Sequence, residues 1–450
     1  MAGPELFVDP SAPPGGDGSR ARPFRTLGET PGRGRIRLAS GVYPGGLLLE
    51  DVELVGGAAV VLASSPPGPC VRTRGTVRLD QVQIQGGAGG LVVESGRTTL
   101  ESVRLSGQRG AAIEVAGGAE LILARSTLQA SVSGVPGVRI LPGGRAELRE
   151  VGIQGPFQRA VEATRPATLR LVGVQVQDAV TGLWLSGGAG AVESLEVRGG
   201  RGPGIYVAGG ALQIQDVRVS GHEYGLLTGE GARVEGRGLR SVGAERAGVA
   251  LVLTRAVLED VRVESAGQTA AVQLVSSEVR IRGLEVQGGR SLGLMARDAQ
   301  LTVEGATVVG LRSADPAEGD AFQIRGGGAS LTGVHVQECS GIGVLAAEAA
   351  RVTLARSSIG SAGVAGLAVE TEARLTATEV TIERTQGPAL LVTERGVAEL
   401  RAITARSNRD GPVWAECGQG VEVDIDGWIG DVAPAPAPCV RTSSPLSPRR

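Results

Sequence analysis

Residues 168–210 read TLRLVGVQVQDAVTGLWLSGGAG and then AVESLEVRGGRGPGIYVAGG, two copies of one unit. Each copy has a short alternating strand, a two-residue corner, a second strand (VQV, LEV), a turn, and a third strand (GLWL, GIYV). Three period-2 strands recurring about every 22 residues are the pattern of one coil of a solenoid, a supersecondary unit that buries its apolar side only by stacking on its neighbours. The unit continues through most of the 450 residues, which overrides the two or three globular domains that length alone suggests.

Composition fits this reading. Gly is abundant, at 72 residues, without a Gly-X-Y period, and aromatics make up 2%. The regular spacing of Val, Leu, Ile and Ala excludes both collagen and disorder and predicts an aliphatic core. Net charge is -2, there is no Lys, and Arg alternates with Glu instead of clustering, so no nucleic-acid footprint is expected. No 18-residue apolar run marks a transmembrane helix.

The spacing of apolar pairs by two residues, flanked by Gly, predicts an all-β, single-stranded right-handed parallel β-helix of about 15–16 coils with three short strands each. A leucine-rich repeat is the nearest competitor, but its LxxLxLxxN signature is missing and Asn408 is the sole Asn. Without an internal Asn ladder, the corners are expected to rely on Gly and small residues. Inward pairs such as Val174 and Val176, or Val261 and Val263, are expected to stack from coil to coil. The organisation expected is an entry segment and cap at 1–32, the β-helix at 33–420, a C-terminal cap at 421–433 burying Trp428, and a Pro-rich, extended, mobile tail at 434–450.

The entry segment, with VDP, GDGS and PFRTL between Val8 and Leu27, and the following RIRLASGVYPGGLLLEDVELVGG (35–57) resemble the start of right-handed parallel β-helix proteins of the pectate-lyase-like superfamily. That resemblance implies the fold and, for the lyases and hydrolases that share it, a substrate cleft on the outer side of the strand after the long turn. The calcium-binding Asp cluster with catalytic Arg, and the paired Asp with a following His, are not found in this chain.

Alternation lets the outward residues be read strand by strand. The first two strands carry ordinary charged and polar surface. The third differs: its outward column runs Val92, Glu114, Arg139, Glu162, Trp184, Tyr206, Leu227, Ala250, Gln273, Met295, Gln323, Leu345, Ala368, Leu391, Trp414. Contiguous apolar positions on an outer face suggest a covering partner, with Trp184, Tyr206, Leu227 and Trp414 as ligand-binding candidates, although single exposed hydrophobes are normal. Glu114, Arg139 and Glu162 stand on successive coils and are the catalytic candidates. Two carboxylates two coils apart approach the spacing of an inverting glycosidase pair, and a Glu-Arg-Glu ion ladder explains them more simply.

Asp315, Glu318 and Asp320, in an insertion reading LRSADPAEGDAFQI, are candidate calcium ligands, with a solvated acidic loop as the plainer reading; no other cofactor is expected. His222 and His335 lie on distant coils, which excludes a Ser-His-Asp arrangement. Of the four cysteines, Cys417 and Cys439 are the disulfide candidates, beside the equal alternative of two free thiols. The function expected is a non-catalytic extracellular or cell-envelope binding scaffold contacting a polysaccharide or protein along the third-strand face. The alternatives are a carbohydrate-active enzyme (lyase, hydrolase or epimerase) on the same face, or a self-associating adhesive subunit and thus a homo-oligomer. MAGPELFVDP shows no signal peptide, so an export or lipoprotein segment is expected to lie outside this chain.

Overall fold

A computed structural model describes residues 5–448 apart from 66, 316, 317, 419, 436 and 444–446. The chain divides into two units, Met1–Val219 and Ser220–Arg450. In each, parallel strands stack coil on coil, and the one helical turn lying wholly within the described residues is the 3-10 turn Leu27–Glu29. The third strands of the first unit are Leu47–Glu50, Val71–Arg74, Leu91–Val93, Ile113–Val115, Pro136–Ile140, Arg159–Thr164, Thr181–Ser186 and Pro203–Ala208. Those of the second are Tyr224–Gly229, Ala247–Val252, Ala270–Val275, Leu292–Arg297, Phe322–Arg325, Ile342–Ala347, Ala365–Val369, Leu390–Val392 and Val413–Ala415. A coil over Val52–Arg74 is additional to the sequence count, its pattern interrupted by the Pro-rich stretch at 65–69.

The core is the expected aliphatic column. Val174, Val261, Val263 and Val336 are at most 1% exposed, and in the second unit Val261 pairs with Leu284 and Val263 with Val286 in register. In that unit the first and second strands run on as one element, as in Arg255–Ala266, Glu278–Gly289 and Gln300–Leu311. In the first unit most remain separate, as in Thr168–Val172 and Gln175–Gln177.

From Gln81 onward the corner between first and second strands is made by a left-handed residue in each coil, and here the expectation of small residues fails. Gln81, Arg125, Glu150, Arg356 and Glu379 hold φ between 46° and 55° there, alongside glycines such as Gly283 at 72°. Left-handed backbone costs a non-Gly residue roughly 1–2 kcal/mol, and stacking between neighbouring coils offsets that locally. Size is no constraint because these side chains leave the corner outward.

At the ends, Glu5–Val8 is a strand pairing in parallel with Gly34–Leu38, so the first ladder begins inside the segment read as an entry cap. Trp428 is 2% exposed, and its indole N–H donates to the Val432 carbonyl at 3.2 Å. Val440–Thr442 pairs with Val423–Ile425, so this part of the Pro-rich tail extends the first-strand ladder and does not lie along the third-strand column. The tail residues 436, 444–446, 449 and 450 lie outside the described residues.

Candidate functional site

The third-strand column forms as alternation predicts. In the first unit Val92, Glu114, Arg139, Glu162, Trp184 and Tyr206 are consecutive register partners. In the second unit Leu227 pairs with Ala250, Ala250 with Gln273, Gln273 with Met295, and the series runs on to Leu391 and Trp414. The two stretches differ in burial. Leu345 and Ala368 are 3% and 1% exposed, packed with Ala347, Ile342 and Leu391, and Gln323, 6% exposed, donates to Asp320, so this part of the column is closed by its own side chains. The expected apolar docking strip is therefore absent there. Trp414, on the last third strand, is 51% exposed.

In the first unit the column is an ordered row of alternating charge that ends in an aromatic pair. Arg139 reaches Glu114 at 3.6 Å and Glu162 at 3.4 Å. Glu162 also accepts from Arg159, through its other oxygen, at 2.5 Å. The Arg159 guanidinium lies 3.9 Å from the centre of the Trp184 ring, a cation–π contact, and the Trp184 and Tyr206 ring centres are 4.1 Å apart with a 34° tilt.

This geometry limits the chemistry. Each oxygen of Glu162 is engaged by a guanidinium, which marks it as a structural acceptor in an ion ladder. Arg159 comes from the coil before Trp184 and Tyr206 from the coil after, so the indole is flanked from both sides along the stack. The face therefore presents indole and phenol edges beside the Arg139 guanidinium, not a bare aromatic face. Arg159 is the member that alternation missed. Counting by twos from Glu162 turns it inward, but Ala160 and Val161 are both buried where the chain enters the strand, and that step reverses the parity.

The acidic insertion does not converge. Asp315 and Glu318 are exposed, residues 316 and 317 lie outside the described residues, and Asp320 is 1% exposed. Its Oδ1 accepts the Ile342 N–H at 2.7 Å and its Oδ2 the Gln323 amide at 3.0 Å. Among the described residues no three His, Cys, Asp or Glu side chains are grouped to hold a metal. Asp320 is turned inward, where it anchors the long turn and stands apart from the exposed Asp315 and Glu318. His222 is buried in the second unit and His335 is exposed, with Nδ1 2.6 Å from Ser358 Oγ.

Cys417 and Cys439 are joined by a disulfide, Cα–Cα 5.4 Å. Cys70 and Cys339 are free and buried, and burial pushes their thiols up to about 11 and about 12. Since the thiolate is the reactive form, neither is expected to react with a thiol reagent at pH 8 in the native chain. Two thiols should appear when the chain is unfolded without reductant; a native thiol labelled within minutes would contradict this packing.

Residues 269–426 match the family model described as right handed beta helix region. No curated protein sequence matches. Among solved structures, the catalytic unit of a thermostable GH87 α-1,3-glucanase from Streptomyces thermodiastaticus strain HF3-3 aligns with 12% identity, covering all of this chain and 70% of that one, at a TM-score of 0.23. The catalytic domain of a GH87 α-1,3-glucanase in complex with nigerose aligns at 10% identity over 86% of this chain and 64% of that one, TM-score 0.24. The A-module of the Azotobacter vinelandii mannuronan C-5 epimerase AlgE6 aligns at 13% identity over 93% and 91%, TM-score 0.12. At these scores no residue correspondence follows. No helix among the described residues is long and apolar enough to cross a membrane.

Proposed function

We propose that this right-handed parallel β-helix is a non-catalytic, exported binding scaffold that holds a polysaccharide along the third-strand face of its first unit. The observation that carries the reading is the row Glu114, Arg139, Glu162, Arg159, Trp184, Tyr206, a prearranged strip of donors, acceptors and aromatic edges repeating at the coil spacing. Rigid side chains locked by their neighbours lose little entropy on binding, which favours such a strip as a recognition surface. Its two guanidiniums and two carboxylates balance, so a neutral glycan suits it better than a charged one. The engagement of both Glu162 oxygens argues against a general acid or base at that position. The Cys417–Cys439 disulfide supports an oxidising compartment.

The test is retardation of the full chain in native gels containing soluble neutral glucans. Trp184→Ala together with Tyr206→Ala is expected to weaken retardation on the order of tenfold, the scale of losing a central aromatic contact. Unchanged retardation removes the binding face. Release of reducing ends from any glycan, abolished by Glu114→Gln or Glu162→Gln, replaces the scaffold reading with an enzymatic one.

A further inference from the structure

Part of the first-strand face of the second unit is charged differently from the Glu114–Arg139–Glu162 ladder described above. One column of this face is an alternating ladder: Arg282 lies 3.3 Å from Glu259 and 3.2 Å from Glu304 on the adjacent first strands. Nearer the start of the same strands, the register withholds such partners from several arginines. Arg280 has Val257 on one side and Thr302 on the other. Arg233 stands directly beside Arg255, and Arg351 between Gly328 and Arg374. Like charges facing each other across a ladder are destabilising, so two such Arg pairs on one face call for a counter-charge from outside.

These side chains surround an open groove of about 740 Å³ lined by Arg233, Arg255, Arg280 and Arg351 with Thr302 and Ser330. Glu235 and Glu278 are the only carboxylates in that lining, leaving an excess of two positive charges. Glu278 is taken by Arg255 at 3.3 Å in a pair about 70% exposed, too solvated to neutralise the rest. Arg233, Arg280 and Arg351 have no acidic partner among the described residues.

We infer that this groove is a second binding site, which takes an anionic polysaccharide bearing carboxylate or sulfate groups. Guanidinium forks match both anions through paired hydrogen bonds. Hydroxyls continue beyond the groove, where Ser330, Thr353 and Thr376 follow one another in register and supply neutral donors and acceptors for sugar hydroxyls. A nucleic-acid strand would need aromatic platforms for its bases, which the lining lacks. The site is independent of the third-strand face proposed above, being on a different strand of a different unit.

The experiment is retardation of the full chain in native gels containing polygalacturonate, heparin, dextran or single-stranded DNA. Retardation by polygalacturonate or heparin is expected at about 50 mM salt and is expected to fall steeply at several hundred millimolar, where the screening length shrinks to a few ångströms. Which of the two polymers retards more distinguishes carboxylate from sulfate as the anion. Arg280→Gln with Arg351→Gln should weaken the effect on the order of tenfold, with an unchanged circular-dichroism spectrum, because both residues are solvent-facing. Trp184→Ala should leave it intact. The inference is overturned by native migration unaffected by either acidic polymer, or by a double variant as strongly retarded as the native chain. DNA retardation of equal strength, lost in the same variant, also overturns it by making the groove a general polyanion surface.

Discussion

Gly343→Val is expected to destabilise the second unit by about 3 kcal/mol, read as a drop in urea midpoint for the full chain. Gly343 is the second residue of the strand Ile342–Ala347, at the point where the turn presses on an inward residue of a second strand. A Cβ built there would stand 2.4 Å from Ile359 Cγ2 and 2.5 Å from the Gly366 carbonyl oxygen. The side chain of Ile359 can shift by a fraction of an ångström, but the Gly366 carbonyl belongs to the next coil's backbone and cannot shift without disturbing its ladder. The backbone of Gly343 is not left-handed, so the requirement is for space and not for conformational freedom. On propensity alone the change should stabilise, because glycine costs entropy in a strand. The sign of the result thus separates the two accounts. Adding Ile359→Ala to Gly343→Val should cost less than the two changes summed, since the second makes room for the first. Strict additivity, or a valine variant as stable as the native chain, would show that the turn does not press on Ile359 as described.

The same step into the third strand explains what was legible in the sequence and what was not. Within a strand, alternation is reliable, so the pairing of Trp184 with Tyr206 and the order Glu114, Arg139, Glu162 could be read from residue spacing. At the strand entrance two consecutive residues turn inward, Ala160 with Val161 and Ala321 with Phe322. Counting by twos across that point assigns the wrong side to what precedes it. Arg159 was lost for this reason, and with it the cap on the indole. The inward turn of Asp320 was not legible because the sequence shows only an acidic insertion, without the Ile342 N–H and Gln323 amide that receive its carboxylate. The excess positive charge on the first strands had a different obstacle: overall charge is near neutral, and the unpaired arginines show only when cross-strand neighbours are known. Corner residues escaped because left-handed backbone carries no composition signal when Gln81, Arg125 and Glu379 adopt it as readily as glycine.

The buried carboxyl of Asp320 should make the second unit locally more stable in mild acid than in mild base. Burial, only partly offset by hydrogen bonds from the Ile342 N–H and the Gln323 amide, pushes this group from 3.8 up to about 6. A carboxyl raised on folding binds its proton more tightly in the folded state. The stability it contributes is therefore complete below about 3.8 and is lost as pH rises through about 6. By pH 8 the loss is on the order of 3 kcal/mol for a shift of this size. Asp320→Asn removes the charge and retains the shape: its Oδ1 still accepts from Ile342, and Gln323 can turn its amide to accept from the new Nδ2. Hydrogen exchange of peptides spanning 320–346 reads the effect locally, which suits a solenoid whose coils open in part. At pH 8 the variant is expected to be protected about a hundredfold more than the native chain, and near pH 4 the two should converge. Glu370 is also pushed up by burial, so a smaller slope of the same sign should remain in the variant. A variant less protected than the native chain at pH 8 would mean that the two hydrogen bonds to the ionised carboxylate outweigh its burial. Asp320 would then anchor the long turn as an anion.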